Sequence, residues 1–365
     1  MNGHSDVAIV GAGIVGLAHA WAAARRGLSV TVFERDRCAR GASVRNFGLG
    51  LAVGQAAGEM RELALRSRES WLEILPAAGC WHKAGGSLIV ARNQAEWAVL
   101  EQFQALRGAD YGTRLLGTAQ LGEFGLQGCG GLFSASEIAL ESRRAIPAIA
   151  SWLAEQYGVR FVRDTQVNSV EGERLETSRG SWQAGRTIIC SGHDTQTLLP
   201  QAFASLSIRR CALQMLRLAN PGLQLAPALM TGLSALHYPA FADCTALAAL
   251  REQVAQYEPA LLEHGIHLIV QQVGEGGELI IGDSHHYDSS PAPFHRELVD
   301  TLLLDLARSV LGRPLQVVER WQGIYASGAR PFEILQQGET ISAVLITAGV
   351  GMSIAFALAE RQFAH

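Results

Sequence analysis

The stretch from Asp6 to Glu34 constrains this chain more than any other. Val7-Ala8-Ile9-Val10 is a short apolar run of the buried parallel-strand type, and it leads straight into Gly11-Ala12-Gly13-Ile14-Val15-Gly16. A helix is predicted next, with Leu17, Ala20, Ala24 and Gly27 on its packing side. A second strand, Val30-Thr31-Val32-Phe33, then ends in Glu34. Gly11 permits a sharp turn, Gly13 lets a pyrophosphate approach the backbone, and Gly16 lets the helix pack closely on the strand. The first N–H groups of the helix, around Ile14 and Val15, present a partial positive charge to phosphates. Glu34 lies 23 residues after Gly11, where a carboxylate accepts hydrogen bonds from both ribose hydroxyls and repels a 2′-phosphate. In a chain with 39 glycines a bare GxGxxG is compatible with a tight turn that binds nothing. The strand before it, the helix after it and the carboxylate beyond make it a dinucleotide site. The motif by itself leaves NAD and FAD open.

With 365 residues the chain is long enough for two domains and a large core. Its 48% hydrophobic and 18% charged composition is that of a compact enzyme. The net charge of −4 comes without a basic tract, which argues against nucleic acid as a partner. Six scattered cysteines without a CxxC pair read as buried free thiols. A first strand starting near residue 6 leaves no room for a signal peptide. No apolar run reaches the roughly 18 residues of a membrane span. A cytoplasmic location is expected.

After Glu34 and Arg35, the run Gly41-Ala42-Ser43-Val44-Arg45-Asn46-Phe47-Gly48-Leu49 is a loop of small residues. It is suited to pressing its backbone on a flat ring while Ser43 and Arg45 reach phosphate oxygens. Helices are predicted over 58–75, 95–106 and 137–157, with strands at 87–90, 159–163, 166–170 and 186–190. The last of these ends at Ser191-Gly192. From Leu206 the pattern changes to longer alternating strands at 208–218, 235–241, 266–273 and 278–282, as in an antiparallel sheet. A helix over 294–311 and strands over 315–325 and 339–347 follow. Ala348-Gly349-Val350-Gly351-Met352-Ser353 then opens a last helix over 354–361. The expected fold class is α/β.

Four elements in this order resemble the D-amino acid oxidase/glycine oxidase/sarcosine oxidase family over essentially the whole chain. They are the opening fingerprint with Glu34, the 41–46 loop, the Ile189-Cys190-Ser191-Gly192 strand end, and the Gly349–Ser353 turn. The resemblance implies a Rossmann-like FAD-binding domain of the glutathione-reductase type, with an inserted antiparallel-sheet substrate domain. The expected segments are 1–80, 137–205 and 321–365 for FAD, and 81–136 and 206–320 for substrate. It also implies FAD with its pyrophosphate on the opening motif, its adenine near Val167, and its flavin ring between loop 43–48 and turn 349–353. Within the family, Ser43–Gly48, Gly54-Gln55 and Glu141-Ser142-Arg143-Arg144 resemble a branch associated with aminophosphonate catabolism.

The implied activity is FAD-dependent oxidation of a small primary or secondary amine, with hydride transfer to the flavin and hydrolysis of the imine. The best candidate is 2-aminoethylphosphonate or its N-methyl derivative, giving phosphonoacetaldehyde. Oxygen or another electron acceptor reoxidises the flavin, and an oligomer is compatible with all of this. Amino-acid-oxidising members carry Gly-Leu-Arg-Pro near the end, whereas this chain has Gly323-Ile324-Tyr325-Ala326. A phenol supplies neither the charge nor the two-pronged geometry of an Arg–carboxylate pair, so an ordinary α-amino acid is disfavoured. Tyr325, Arg330, His237, Tyr238, Gln55 and Lys83, the only lysine, are the candidate pocket residues.

Other readings stay open. One is an amino acid or sarcosine-type oxidase or dehydrogenase; another is a non-catalytic flavin-binding subunit of an electron-transfer complex. A third is a flavin-dependent aromatic hydroxylase, suggested by Gly282-Asp283. That pair is read here as a polar strand end, because a loop follows it rather than a helix. His264-x-x-His267 and His285-His286 lack a nearby carboxylate–cysteine set at ligand spacing, so no metal is expected.

Overall fold

A computed structural model describes residues 3–364. Among the described residues, sixteen strands join in one large sheet. One end is parallel, in the order Ile341–Ala348, Gly180–Ile189, His4–Val10, Val30–Phe33, Arg160–Val162. Val30–Phe33 is buried at every position, as a parallel strand covered on both faces requires. Helices Ile14–Ala24, Ser142–Tyr157 and Gly351–Gln362 pack there, in a core that includes Leu17, Trp21, Trp71 and Phe356. The sheet continues through Val317–Gln337 into Arg209–Leu218, Glu278–Gly282 and Ile269–Val273, all paired antiparallel. Beyond them Ala228–Thr231 pairs parallel with Ser87–Ala91, the one departure from the antiparallel pattern expected for this region. The architecture is thus a Rossmann-like α/β layer continuous with a mostly antiparallel roof.

The 21-residue strand Val317–Gln337 joins the two parts. Its first half pairs with Arg209–Leu218, its second half with Ile341–Ala348, and the register shifts between Ser327 and Phe332. The sequence pattern places a strand only to Tyr325, because Gly328 and Pro331 interrupt the alternation. The bend that they permit redirects the strand instead of ending it.

Three other expectations shift. The segment predicted as a strand over 235–241 forms two 3₁₀ turns, Gly232–Leu236 and Pro239–Phe241; Pro239 has no N–H to give to a ladder. The helix predicted from Glu137 starts at Ser142. Ile138–Leu140 instead pairs with Leu49–Gly50 and His82–Lys83 in a small second sheet. Helix Glu59–Ala77 runs two residues past the predicted end at 75 and takes in Pro76 at its penultimate position. Among the described residues no helix is long and apolar enough to cross a membrane.

Candidate functional site

One cavity of about 440 Å³ runs from the opening glycine turn to the underside of the roof. At its first end, Gly11 has φ +105° and a Cβ there would lie 2.5 Å from the Cys190 carbonyl oxygen. A Cβ on Gly16 would fall 1.9 Å from the Gly11 carbonyl oxygen. Both positions therefore demand glycine. Gly13 is the N-cap of helix Ile14–Ala24 and has no side chain to cap it; Ser43 reaches across, its Oγ accepting from Ile14 N–H at 2.9 Å. Glu34 is buried, and its two oxygens accept from Ala12 N–H (2.9 Å) and Asp36 N–H (3.1 Å). Backbone donors hold this carboxylate, which lines the cavity. Val167, Ser191 and Gly192 line the same end, and Arg35 pairs there with Asp194 at 2.9 Å.

The middle of the cavity is framed by two turns tied to each other. Ala42–Val44 forms a 3₁₀ turn. Asn46 closes it: its side-chain amide donates to Ala42 O and its Oδ1 accepts from Gly48 N–H. Across the cavity, Gly349 (φ +69°) precedes helix Gly351–Gln362. Ser353 Oγ accepts from Leu51 N–H at 2.9 Å, and Trp71 Nε1–H donates to Met352 O at 2.7 Å. Trp321 Nε1–H donates to Arg45 O at 3.0 Å, so the roof strand holds the loop as well. Ala42, Arg45, Leu49, Gly351 and Met352 all face the cavity.

The roof supplies a cluster that sequence spacing did not reveal. His237, His267 and His285 stack with ring centroids 4.3–5.2 Å apart, and Asp283 sits among them. Burial pushes Asp283 up to about 7 and His285 down to about 4, and it pushes His267 down as well; His237 is the exposed member of the cluster. Groups this close exchange protons as one unit. Tyr238 lies on Gly54, and Tyr325 faces Gly349, where a Cβ would meet its ring at 3.2 Å. Burial raises both phenols, so each stays an O–H donor at neutral pH.

The candidates predicted from sequence divide accordingly. Gln55, His237, Tyr238 and Tyr325 line the cavity. Lys83 and Arg330 do not. The Lys83 ammonium donates to Leu225 O at 2.6 Å on the small second sheet, and Arg330 is an exposed side chain paired with Glu333. Arg330 follows the bend of the long strand, which carries it away from Tyr325. Asp283, read as a plain strand end, is a buried wall of the cavity. As expected, no helix follows it; the short strand His286–Asp288 does. A signal for this cluster was present: six of the eleven histidines (His237, His264, His267, His285, His286, His295) fall between residues 206 and 320.

A glycine-turn helix N-terminus, a buried carboxylate at the end of the next strand and a second glycine turn under a sheet roof share one cavity. Residues 6–361 match the family model described as FAD dependent oxidoreductase (DAO), and the chain belongs to that family. Its fold superposes on glycine oxidase from Geobacillus kaustophilus, with TM-score 0.78 and 18% identity over 100% of this chain and 94% of that one. It also superposes on L-proline dehydrogenase from P. horikoshii, with TM-score 0.78 and 17% identity over 99% and 92%. A third match is L-amino acid deaminase from Proteus vulgaris lacking its specific insertion, with TM-score 0.76 and 16% identity over 99% and 89%. These likenesses are ones of fold. None of the curated proteins matches the chain in sequence. The cofactor of the family is FAD. The glycines that exclude a side chain, the backbone-held Glu34 and the helix N-terminus without its own cap fit it.

Proposed function

We propose that this FAD-dependent oxidoreductase oxidises a small amine bearing a compact anionic group, best matched by 2-aminoethylphosphonate or its N-methyl derivative. The product is phosphonoacetaldehyde. The observation that carries this reading is the make-up of the roof: among the described residues, those it turns toward the cavity include His237, Tyr238, His267, His285 and Tyr325 but no arginine or lysine. A planar carboxylate is best held by an arginine fork. A phosphonate, with three acceptor oxygens, is served by several donors converging from different directions. The Tyr238 and Tyr325 hydroxyls and the Gln55 amide supply such donors, with Arg45 at the loop edge.

FAD, held between the opening glycine turn, the 41–48 loop and the Gly349–Ser353 turn, would supply two-electron oxidation at the carbon beside the amine nitrogen. The chain's own residues prepare that carbon. Burial beside Leu213, Ile269 and Tyr238 favours the neutral amine over the ammonium, which frees the nitrogen lone pair. The imine then takes up water and releases aldehyde and amine or ammonia. The 1–80, 137–205 and 321–365 segments carry FAD in this proposal, and 81–136 and 206–320 carry the substrate.

The test is anaerobic bleaching of the flavin by 2-aminoethylphosphonate, its N-methyl form and the matched carboxylate β-alanine, alongside glycine, sarcosine and common D-amino acids. Fast bleaching confined to the phosphonates is expected. Equal rates with β-alanine, or efficient turnover of glycine or sarcosine, would overturn the phosphonate assignment.

A further inference from the structure

We propose that His237, His267 and His285, together with Asp283, bind a divalent transition-metal ion of the zinc class in the roof of the cavity. One ligand atom from each imidazole lies within 4.8 Å of the other two. His267 Nε2 is 3.3 Å from Asp283 Oδ1, and His285 Nε2 is 3.7 Å from Asp283 Oδ2. His267, Asp283 and His285 are all more than nine-tenths buried. Yet His267 Nε2 and Asp283 Oδ1 make no hydrogen bond to any described residue.

The far side of two of the rings is already anchored. His267 Nδ1 meets Ser234 Oγ at 3.2 Å, and His285 Nδ1 donates to Gly265 O at 2.9 Å. Metal-bound imidazoles are held in this way, one nitrogen on a protein group and the other on the ion. A metal-free hydrogen-bonded relay would instead aim each Nε2–H along a carboxylate lone pair, and the His267–Asp283 contact lacks that alignment. Imidazole nitrogen with one carboxylate selects zinc-like ions over magnesium or calcium. Zinc–nitrogen bonds are about 2.0–2.1 Å, which puts two nitrogens of a tetrahedral site about 3.4 Å apart. Binding therefore draws the three rings inward by roughly an ångström.

Such an ion supplies the positive charge that no lysine or arginine brings to this roof. A further coordination position toward the cavity would take an oxygen of the substrate's anionic group. That role, unlike the ion site itself, rests on the phosphonate reading above.

The experiment uses FAD-loaded protein stripped with a chelator and equilibrated with Zn²⁺, with bound metal counted by plasma mass spectrometry. Co²⁺ absorption in the visible serves as a second readout in protein whose flavin has been bleached. One ion per chain is expected. His267→Ala and His285→Ala should abolish stoichiometric uptake while keeping the yellow, FAD-loaded state as evidence of folding. Ser234→Ala, which frees the far side of His267 and its backbone carbonyl, should weaken Zn²⁺ binding about 10–100-fold. Failure of the parent protein to take up stoichiometric Zn²⁺, or unchanged uptake by the two histidine variants, would overturn the site. For the anchoring role, Zn²⁺ should tighten 2-aminoethylphosphonate binding, read as a shift in the flavin spectrum, in the parent but not in His267→Ala. Equal phosphonate affinity with and without Zn²⁺ removes that role. Stoichiometric Zn²⁺ uptake with no bleaching by phosphonates keeps the ion site and defeats the substrate reading.

Discussion

At the scale of single residues, the cofactor cradle is decided by atoms that are missing as much as by those present. A Cβ on Gly13 would lie 2.9 Å from Ser43 Oγ, at the mouth of the cavity that Gly13 lines. Gly13→Val is expected to give colourless protein, read as loss of flavin absorbance. Glu34→Gln keeps one acceptor oxygen, loses the charge and turns an amide NH2 toward one of the two backbone donors, Ala12 N–H or Asp36 N–H. Replacing a charge-assisted bond by a neutral one costs about 1–1.5 kcal/mol, so FAD should bind roughly tenfold more weakly. Full FAD retention by Gly13→Val would refute the cradle. Tyr325→Phe removes one O–H donor with little change of shape. A hydrogen bond to a charged group contributes about 1.5–3 kcal/mol, so kcat/KM for the phosphonate should fall roughly 10- to 150-fold. A loss confined to KM would mark Tyr325 as a ground-state anchor. The effect should vanish for an uncharged amine.

At the scale of elements, the two turns that frame the middle of the cavity depend on helices packed behind them. Helix Glu59–Ala77 buries Trp71 against Phe356 of the last helix, with ring centroids 4.8 Å apart. The Trp71 indole N–H also holds Met352 O. Trp71→Phe removes the indole donor from a carbonyl that keeps its bond within helix Gly351–Gln362, at a cost of about 0.5–1.5 kcal/mol. Thermal melting should show a lower Tm, and the deficit should persist with FAD in excess because the lost bond is within the protein. An unchanged Tm would mean that the turn is held elsewhere. The long strand Val317–Gln337 explains why Tyr325 and Arg330, only five residues apart, part company. The register shift after Ser327 lies between them.

At the scale of the molecule, stability carries a histidine signature. His19 is fully buried in helix Ile14–Ala24; its Nδ1–H donates to Val15 O at 2.7 Å, and its Nε2 has no partner among the described residues. Burial pushes it down to about 4 from an ordinary value of 6.5. Between these values the unfolded chain binds a proton that the folded chain refuses. Stability therefore falls as pH drops from about 6.5 to about 4, by about 1.4 kcal/mol per pH unit from this group. Urea denaturation of His19→Gln across that range should show a slope shallower by this amount, with stability near pH 7 setting the reference. Parallel curves for parent and variant would show that His19 protonates without unfolding.

What the sequence by itself determined is the local part: the strand–glycine–helix turn, Glu34, the 41–48 loop and the closing Gly349–Ser353 turn. Each is specified by neighbours in the chain, through steric limits on glycine, helix N-termini and the two-residue period of strands. The antiparallel roof was legible in part: strands Thr113–Gly117, Gly130–Ser134 and Ala228–Thr231 were not foreseen, Pro239 broke one strand into turns, and Gly328 and Pro331 bent another without ending it. Only the tertiary structure decided which polar groups face the cavity. His237, His267, Asp283 and His285 come from separate roof segments, and no spacing rule links them. Burial, set by the sheet as a whole, brought them together and shifted their protons. The same sheet sent Lys83 and Arg330, chosen for their charge, to the pairs they form elsewhere.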